Sequence, residues 1–257
     1  IYAFARTADD FADEGRHARE TPGDLKQRLD QLDDWELRLM QCSRGEAKDP
    51  AFIALAETIR ALDLPLQLFK DLLTAYRMDV KQNRYKTFDE VFYYCRHSAN
   101  PVGRLVLLTF GYRDENIHKL SDNICTALQL ANFWQDIAVD LAKNRIYIPQ
   151  DEMRRFRVTE GDLHAKICNR AFQTLLKYCM ERTAALFNNG LPLCTQVGRD
   201  LKLEMRLTWL GGTAILRKIS AIDCDVFRRR PSLGMFDAAG LLARAVIPID
   251  LGPVHVK

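Results

Sequence analysis

The chain has 257 residues, 47% of them hydrophobic and 28% charged, with a formal net charge of +3. A chain of this length builds a core without disulfides or metals; thirteen Gly and nine Pro exclude collagen-like and linker-rich classes, and so small a net charge argues against a nucleic-acid binder. Seven Cys, at positions 42, 95, 125, 168, 179, 194 and 224, form no Cys-x-x-Cys pair, which excludes a disulfide framework and a zinc site and favours a reducing compartment.

Along the chain, helical spacing recurs and period-two alternation is almost absent. Residues 1–18 read as one helix, and the opening Ile1-Tyr-Ala-Phe-Ala-Arg6, in helical rhythm and without Met, suggests that an N-terminal segment is missing. A second helix is expected over 24–43, with Leu25, Leu29, Leu32, Trp35 and Leu39 on its apolar side. Pro50 and Pro65 sit where a first helical turn tolerates proline, opening helices near 50–63 and 65–80. Thr87-Phe-Asp-Glu90 is a capping-box pattern, and Pro101 breaks or kinks the helix it starts before the apolar run 102–112. A long helix is expected over 117–142, and Thr159-Glu-Gly-Asp162 opens another that runs to Asn188. Asn188-Asn-Gly-Leu-Pro192 reads as a turn, followed by a helix near 199–223 and a last one punctuated by Pro231, Gly234 and Pro248. No run approaches the roughly 18 uncharged apolar residues of a transmembrane helix. With no linker and no repeat, the pattern is one all-α domain over 1–257, of about ten helices.

Two helical faces carry chemistry. In the first helix Tyr2, Arg6, Asp9 and Asp13 fall within an arc of roughly 60°, with Asp10 and Glu14 pointing away from it. Two carboxylates four residues apart repel unless a cation neutralises them; the plainer reading is an acidic first turn complementing the helix dipole. In the long helix Gln129, Asn132, Asp136 and Asp140 span roughly 80°. That helix is apolar nearly all round, so it should be central, and a buried polar stripe without a basic residue is costly unless something cationic enters. The plainer reading there is a polar network satisfying itself in the core. Oxygen-only donors suit Mg²⁺ with phosphate and water, and Lys143, Arg145 and Tyr147 downstream could hold phosphate oxygens. Together the two faces read as a cavity in which Mg²⁺ bridges carboxylates to a diphosphate and promotes ionisation of a carbon–oxygen bond. Phe4, Phe11, Tyr93, Tyr94, Phe133, Trp134 and Trp209 are candidate walls for the cation, although core packing is the commoner role for each.

These motifs resemble the squalene and phytoene synthases. Tyr2-Ala-Phe-Ala-Arg6-Thr-Ala-Asp9-Asp10-Phe-Ala-Asp13-Glu14 is similar to the family's first aspartate-rich motif, and Gln129–Asp140, continuing to Arg145-Ile-Tyr147-Ile-Pro149, to its second. Tyr94-Cys95 with Ala99 and Val102-Gly103 resembles the active-site segment between them. Within the family, Asn132-Phe-Trp-Gln-Asp136-Ile-Ala-Val-Asp140 is most similar to the hydroxysqualene synthases of bacterial hopanoid biosynthesis; the sister enzymes look more like Asn-Ile-Leu-Arg-Asp with an acid before the last aspartate.

The resemblance implies an isoprenoid-synthase-type helical bundle around a central cavity, converting presqualene diphosphate and water into hydroxysqualene and diphosphate, with Mg²⁺ and without a nicotinamide cofactor. It implies that Asp9, Asp13, Asp136 and Asp140 bind Mg²⁺, that Tyr2, Arg6, Arg145 and Tyr147 contact phosphate, and that Gln129 and Asn132 complete the polar face. Tyr94, Val102 and Gly103 would line the channel, and Tyr94 is counted with the catalytic set. A His and Ser upstream of the first motif in relatives have no counterpart here, and one arginine of Asp225-Val-Phe-Arg228-Arg-Arg230-Pro should match a phosphate-contacting arginine. The rival within the family is head-to-head condensation of two prenyl diphosphates to presqualene diphosphate, squalene or phytoene. Outside it, Glu115-Asn-Ile-His118 is one Glu-x-x-His where a di-iron bundle needs two, and a non-enzymatic scaffold leaves both aspartate faces unexplained. The expected partners are a prenyl diphosphate, the other enzymes of the hopanoid or squalene pathway, and no nucleic acid. The expected location is cytoplasmic, with peripheral membrane contact suggested by greasy reactants; Leu233, Phe236, Leu241 and Ala245 form a candidate face, for which core packing is the commoner explanation.

Overall fold

The computed structural model describes residues 1–13, 21–247 and 251–256. Among them are fourteen helices: α1 (Tyr2–Asp13), α2 (Pro22–Ser43), α3 (Pro50–Leu62), α4 (Leu66–Lys81), α5 (Phe88–Ser98), α6 (Asn100–Thr109), α7 (Glu115–Gln135), α8 (Ile137–Ala142), α9 (Gln150–Arg155), α10 (Glu160–His164), α11 (Arg170–Gly190), α12 (Leu193–Gln196), α13 (Arg199–Ala221) and α14 (Met235–Val246). No strand occurs among the described residues; the β pairing is an isolated bridge between Arg84 and Ile146. The all-α class therefore holds. The chain forms two compact units, Ile1–Asn83 with Tyr93–Arg113, and Arg84–Phe92 with Asp114–Lys257.

In the first unit, α1, α2, α3, α4 and α6 close over an aromatic centre. The Phe4 ring stacks on Trp35 at 6.1 Å and meets Phe52 and Phe69 edge-on. The Trp35 indole, whose N–H needs a partner once buried, donates to the Phe4 carbonyl at 3.2 Å. Two local signals act as expected: Thr21 and Asp24 make a reciprocal capping box at the start of α2, and Pro50 sits in the first turn of α3 behind the Asp49 cap. Pro65 precedes α4 as its N-cap instead of opening it. The stretch 14–18 of the first expected helix lies outside the described residues.

In the second unit α7 and α11 are the most extensively packed helix pair. Their contact is close because Gly190 of α11 has no side chain: a Cβ there would stand 2.5 Å from Ile124 Cγ1 and 2.9 Å from the Leu120 carbonyl. Trp134 is fully buried and donates its indole N–H to Thr183 on α11 at 2.8 Å. Several boundaries differ from expectation. The 117–142 helix divides at Asp136 into α7 and α8. The helix opened by Thr159 stops at His164, with Lys166 in the left-handed region, and α11 begins afresh behind Asn169. Residues 188–190 extend α11 instead of turning. Ten of the fourteen helices run for ten residues or more; the excess over the expected ten is the short segments α8, α9, α10 and α12. The Pro248 stop lies outside the described residues.

Candidate active site

The first motif lies on α1 in the first unit. Arg6 bonds Asp9 at 3.2 Å and Asp10 at 2.7 Å, so Asp10 shares the guanidinium instead of pointing away. The Asp13 side chain lies outside those described. Tyr2 stands largely exposed at the start of the helix. Two residues on α4 join this set. The Tyr76 phenol is held well above its usual value, first by burial, then by the Asp9 and Asp79 carboxylates, with Arg6 opposing. Buried Asp79 accepts from the Tyr94 hydroxyl at 2.9 Å. Tyr94 is on α5, and Val102 and Gly103 are in the first turn of α6, where Pro101 restarts the helix. Thus Arg6, Asp9, Tyr76, Asp79 and Tyr94 belong to one electrostatic neighbourhood.

The second motif lies at the α7–α8 junction in the second unit. Leu130, Ala131, Phe133, Trp134 and Gln135 are buried, whereas Asn132 is exposed and Gln129, Asp136 and Asp140 are partly accessible. The stripe is the open side of a helix buried elsewhere, which corrects the expectation that it is buried. Solvent therefore meets part of its desolvation cost. Asn132 donates to Asp136 at 2.9 Å. Arg230 forks onto both oxygens of the same carboxylate, at 2.5 and 3.1 Å. The Arg230 guanidinium is raised above its ordinary value by that hydrogen bond first and by the charges of Asp136 and Asp140. Arg230 is thus the member of the 228–230 run that reaches the motif; Arg228 pairs with Asp225 instead. Its placement has a visible cause: the amide of buried Gln135 donates to the carbonyl of Pro231, the next residue.

Downstream, Asp140, Arg145 and Tyr147 share a small crevice with Phe133 and Ile137. The Tyr147 ring is buried, stacked face to face on Phe133 at 3.6 Å and flanked by Tyr85 at 5.5 Å. The loop bearing Arg145 is pinned by Arg84, which donates to the Asn144 carbonyl at 2.6 Å and its side-chain oxygen at 3.0 Å while forking onto Glu160. Asn144 takes φ 56°, a left-handed turn that asparagine tolerates.

The suggested aromatic walls divide. Phe4, Trp134 and Trp209 are core residues, the last donating to the Phe187 carbonyl at 2.8 Å. Phe11 meets Trp35 edge-on and Tyr93 is exposed. Tyr76, Asp79 and Arg84 did not stand out in the sequence, because α4 also carries Lys70, Asp71, Arg77 and Lys81, among which Asp79 reads as one more charge of a solvated face. No group of three or more His, Cys, Asp or Glu able to hold a metal occurs among the described residues, and the His118 imidazole stands 3.8 Å from Glu115 on its own helix. A di-iron cluster is not formed by these residues. Within each unit taken by itself, the carboxylate oxygens (Asp9 in the first, Asp136 and Asp140 in the second) are of the chemical kind Mg²⁺ takes one or two at a time, completing its shell with phosphate and water.

The profile of the Squalene/phytoene synthase family matches residues 1–237. A hydroxysqualene synthase from Rhodopseudomonas palustris is 36% identical over 226 residues, 87% of this chain and 74% of that protein. A 15-cis-phytoene synthase from Synechococcus elongatus is 28% identical over 90% of this chain and 76% of its own. Among solved structures, a squalene synthase from Alicyclobacillus acidocaldarius superposes with a TM-score of 0.79 at 40% identity, covering 86% of this chain and 81% of its own. A dehydrosqualene synthase, 22% identical, shares the fold with a TM-score of 0.80 over 95% of this chain and 83% of its own.

Proposed function

The chain belongs to the squalene/phytoene synthase family and is an enzyme of isoprenoid synthesis; from that premise we propose that it is a hydroxysqualene synthase. It ionises presqualene diphosphate, rearranges the carbon skeleton and captures water, releasing hydroxysqualene and diphosphate as a carbon–oxygen lyase of hopanoid biosynthesis. The observation that carries this choice is Gln135. By the motif resemblance it replaces an arginine of the sister enzymes, and it ties the Arg230–Pro231 segment to the end of α7. The 36% and 40% identities to a hydroxysqualene synthase and a squalene synthase support the same reading.

In this proposal Asp9 and Asp13 on α1, and Asp136 and Asp140 at the α7–α8 junction, would each hold Mg²⁺, which would supply charge stabilisation to a departing diphosphate. Arg230 exchanges its carboxylate partner for phosphate oxygens, a bidentate geometry that suits both. Arg6, Arg145, Tyr2 and Tyr147 hold further phosphate oxygens, with Arg84 fixing the loop that carries two of them. Gln129 and Asn132 orient the carboxylates. Asp79 fixes the Tyr94 hydroxyl, Val102 and Gly103 line the hydrocarbon's path, and in the second unit the Phe133 ring helps to exclude stray water. Greasy reactants would place the enzyme in the cytoplasm against the membrane face, passing material to the neighbouring enzymes of the pathway. No helix among the described residues is long and apolar enough to cross a membrane.

The test is product analysis with purified protein, Mg²⁺ and presqualene diphosphate, without NADPH. An alcohol and one diphosphate per turnover are expected, with little reaction of farnesyl or geranylgeranyl diphosphate alone. Efficient formation of presqualene diphosphate or phytoene from those substrates would instead establish the condensing reaction, which the 28% identity to phytoene synthases favours.

A further inference from the structure

The last helix is held with its apolar side outward. At its N-terminal end the Asp237 carboxylate caps the Gly234 N–H at 2.7 Å and pairs with Lys218 of α13 at 2.9 Å. At its C-terminal end the buried guanidinium of Arg206 donates to the carbonyls of Ala245, Arg244 and Ile247 at 2.8, 3.1 and 2.8 Å. Those carbonyls have no partner within a helix, so both ends of α14 are fixed to α13. The fixed orientation buries Ala245 and half-buries Leu241. It leaves Met235 87%, Phe236 94% and Val246 65% exposed.

Around the helix Met235, Ala239, Leu242 and Val246 fall within an arc of about 60°, which Phe236 and Ala243 widen to about 120°. All six are exposed, and none is polar. At the margin stand two exposed arginines, Arg217 of α13 and Arg244. Partial burial, and then the charge of Arg244, lower the Arg217 guanidinium. The acid of this helix, Asp237, is already committed to Lys218.

We propose that the outer face of α14 docks on an anionic membrane surface, with Met235, Phe236, Leu242 and Val246 entering the interface and Arg217 and Arg244 meeting lipid phosphates. A large apolar face rimmed by arginine is the composition of an interfacial helix, and isolated patches of this kind mark interaction sites. A second copy of the chain is the poorer fit. A two-fold contact through this face would gather four arginines at one rim, and the outer face supplies no acid to meet them. The proposal deepens the peripheral contact suggested above by assigning its surface. It rests on that reading only for the use made of the membrane, so its test reads lipid binding and not turnover.

The experiment is co-sedimentation of the full chain with vesicles of phosphatidylcholine alone and of phosphatidylcholine mixed with phosphatidylglycerol. Binding to the mixed vesicles is expected, weakening as salt rises. Met235→Asp with Phe236→Asp should lower it by on the order of tenfold or more, without changing the melting temperature, since both side chains are exposed. Arg217→Gln with Arg244→Gln should remove the preference for anionic lipid. The assignment is overturned if the chain ignores both vesicle types or if the Met235/Phe236 variant binds as well as the parent. It is also overturned if, without lipid, the chain is a dimer that those substitutions split. A chain that binds vesicles but does not consume presqualene diphosphate would sink the proposed reaction and leave the surface standing.

Discussion

Replacing Gly190 by Ala decides between two physical effects of opposite sign. Gly190 is the last residue of α11, and helix propensity alone gives alanine there a gain of at most about 1 kcal/mol. Its added carbon, however, would stand 2.5 Å from Ile124 Cγ1, 2.9 Å from the Leu120 carbonyl and 3.2 Å from the Ile124 amide nitrogen. Two of those three atoms are backbone of α7, so rotating a side chain cannot relieve them. Overpacking costs about 1–3 kcal/mol, and with backbone in the way the upper part of that range, about 2–3 kcal/mol, applies, leaving a net loss of about 1–2 kcal/mol. At roughly 2–4 °C per kcal/mol for a chain of this size, the melting temperature should fall by about 2–8 °C. The matched control is Gly240→Ala on α14, where a Cβ meets nothing within 4 Å; propensity acts unopposed and should raise stability by about 0.5–1 kcal/mol. Urea denaturation followed by circular dichroism measures both, with an unchanged slope certifying that the shift is one of stability. A Gly190→Ala protein as stable as its parent would refute the close approach of α11 to α7.

Mg²⁺ with inorganic diphosphate should raise the melting temperature by mass action, and Asp140→Asn should abolish the rise; an equal rise in that variant removes Asp140 from the metal site. Arg230→Lys keeps the charge and loses the fork, so the same ligand-induced rise should shrink. The apo protein should change by less than about 1 kcal/mol, because the Arg230 side chain is half exposed to solvent and lysine keeps the charge beside Asp136. An undiminished rise would show that Arg230 serves only Asp136. The Arg84 fork lowers the Glu160 carboxyl, by hydrogen bonding first and charge second. A lowered folded-state value means stability that is complete above the unfolded pKa of about 4.3 and is lost as pH falls through the folded one. The melting-temperature gap between the parent and Glu160→Gln should therefore be open at neutral pH and close in acid; a pH-independent gap would contradict this.

The long helices were legible because their signals are local. Thr21 caps α2 through Asp24 and Thr159 caps α10 through Asp162, as their spacing indicates. Thr87 caps Glu90 weakly at 3.4 Å, but the Glu90 carboxylate turns to the Lys86 amide at 2.7 Å, so that box is only half made. The end of α10 was hidden by Ala165-Lys166-Ile167, a sequence any helix accepts. The chain reverses there because Lys166 adopts φ 55° and the Ile167 amide reaches back to the Asp162 carbonyl at 3.0 Å. Asn169, whose side chain accepts from Phe172 at 3.0 Å, was the available sign that a new helix starts.

The site was legible along each helix and illegible between helices. Four-residue spacing places Asn132 beside Asp136, and the structure joins them. No spacing links Asp136 to Arg230, 94 residues away; in the sequence Arg228-Arg-Arg230 offers three candidates for one phosphate-contacting arginine and no means of choosing among them. What distinguishes its third member is the proline behind it. Pro231 is buried, its carbonyl is held by Gln135, and proline restricts the residue before it to extended conformations. All three arginines are exposed, but Arg228 turns to Asp225 and only Arg230 directly precedes the proline. The selection of one arginine from three therefore depends on an amide at the end of α7. That amide belongs to the motif variant by which the chain resembles the hydroxysqualene synthases, so among the groups proposed to touch substrate Gln135→Arg should loosen Arg230 first.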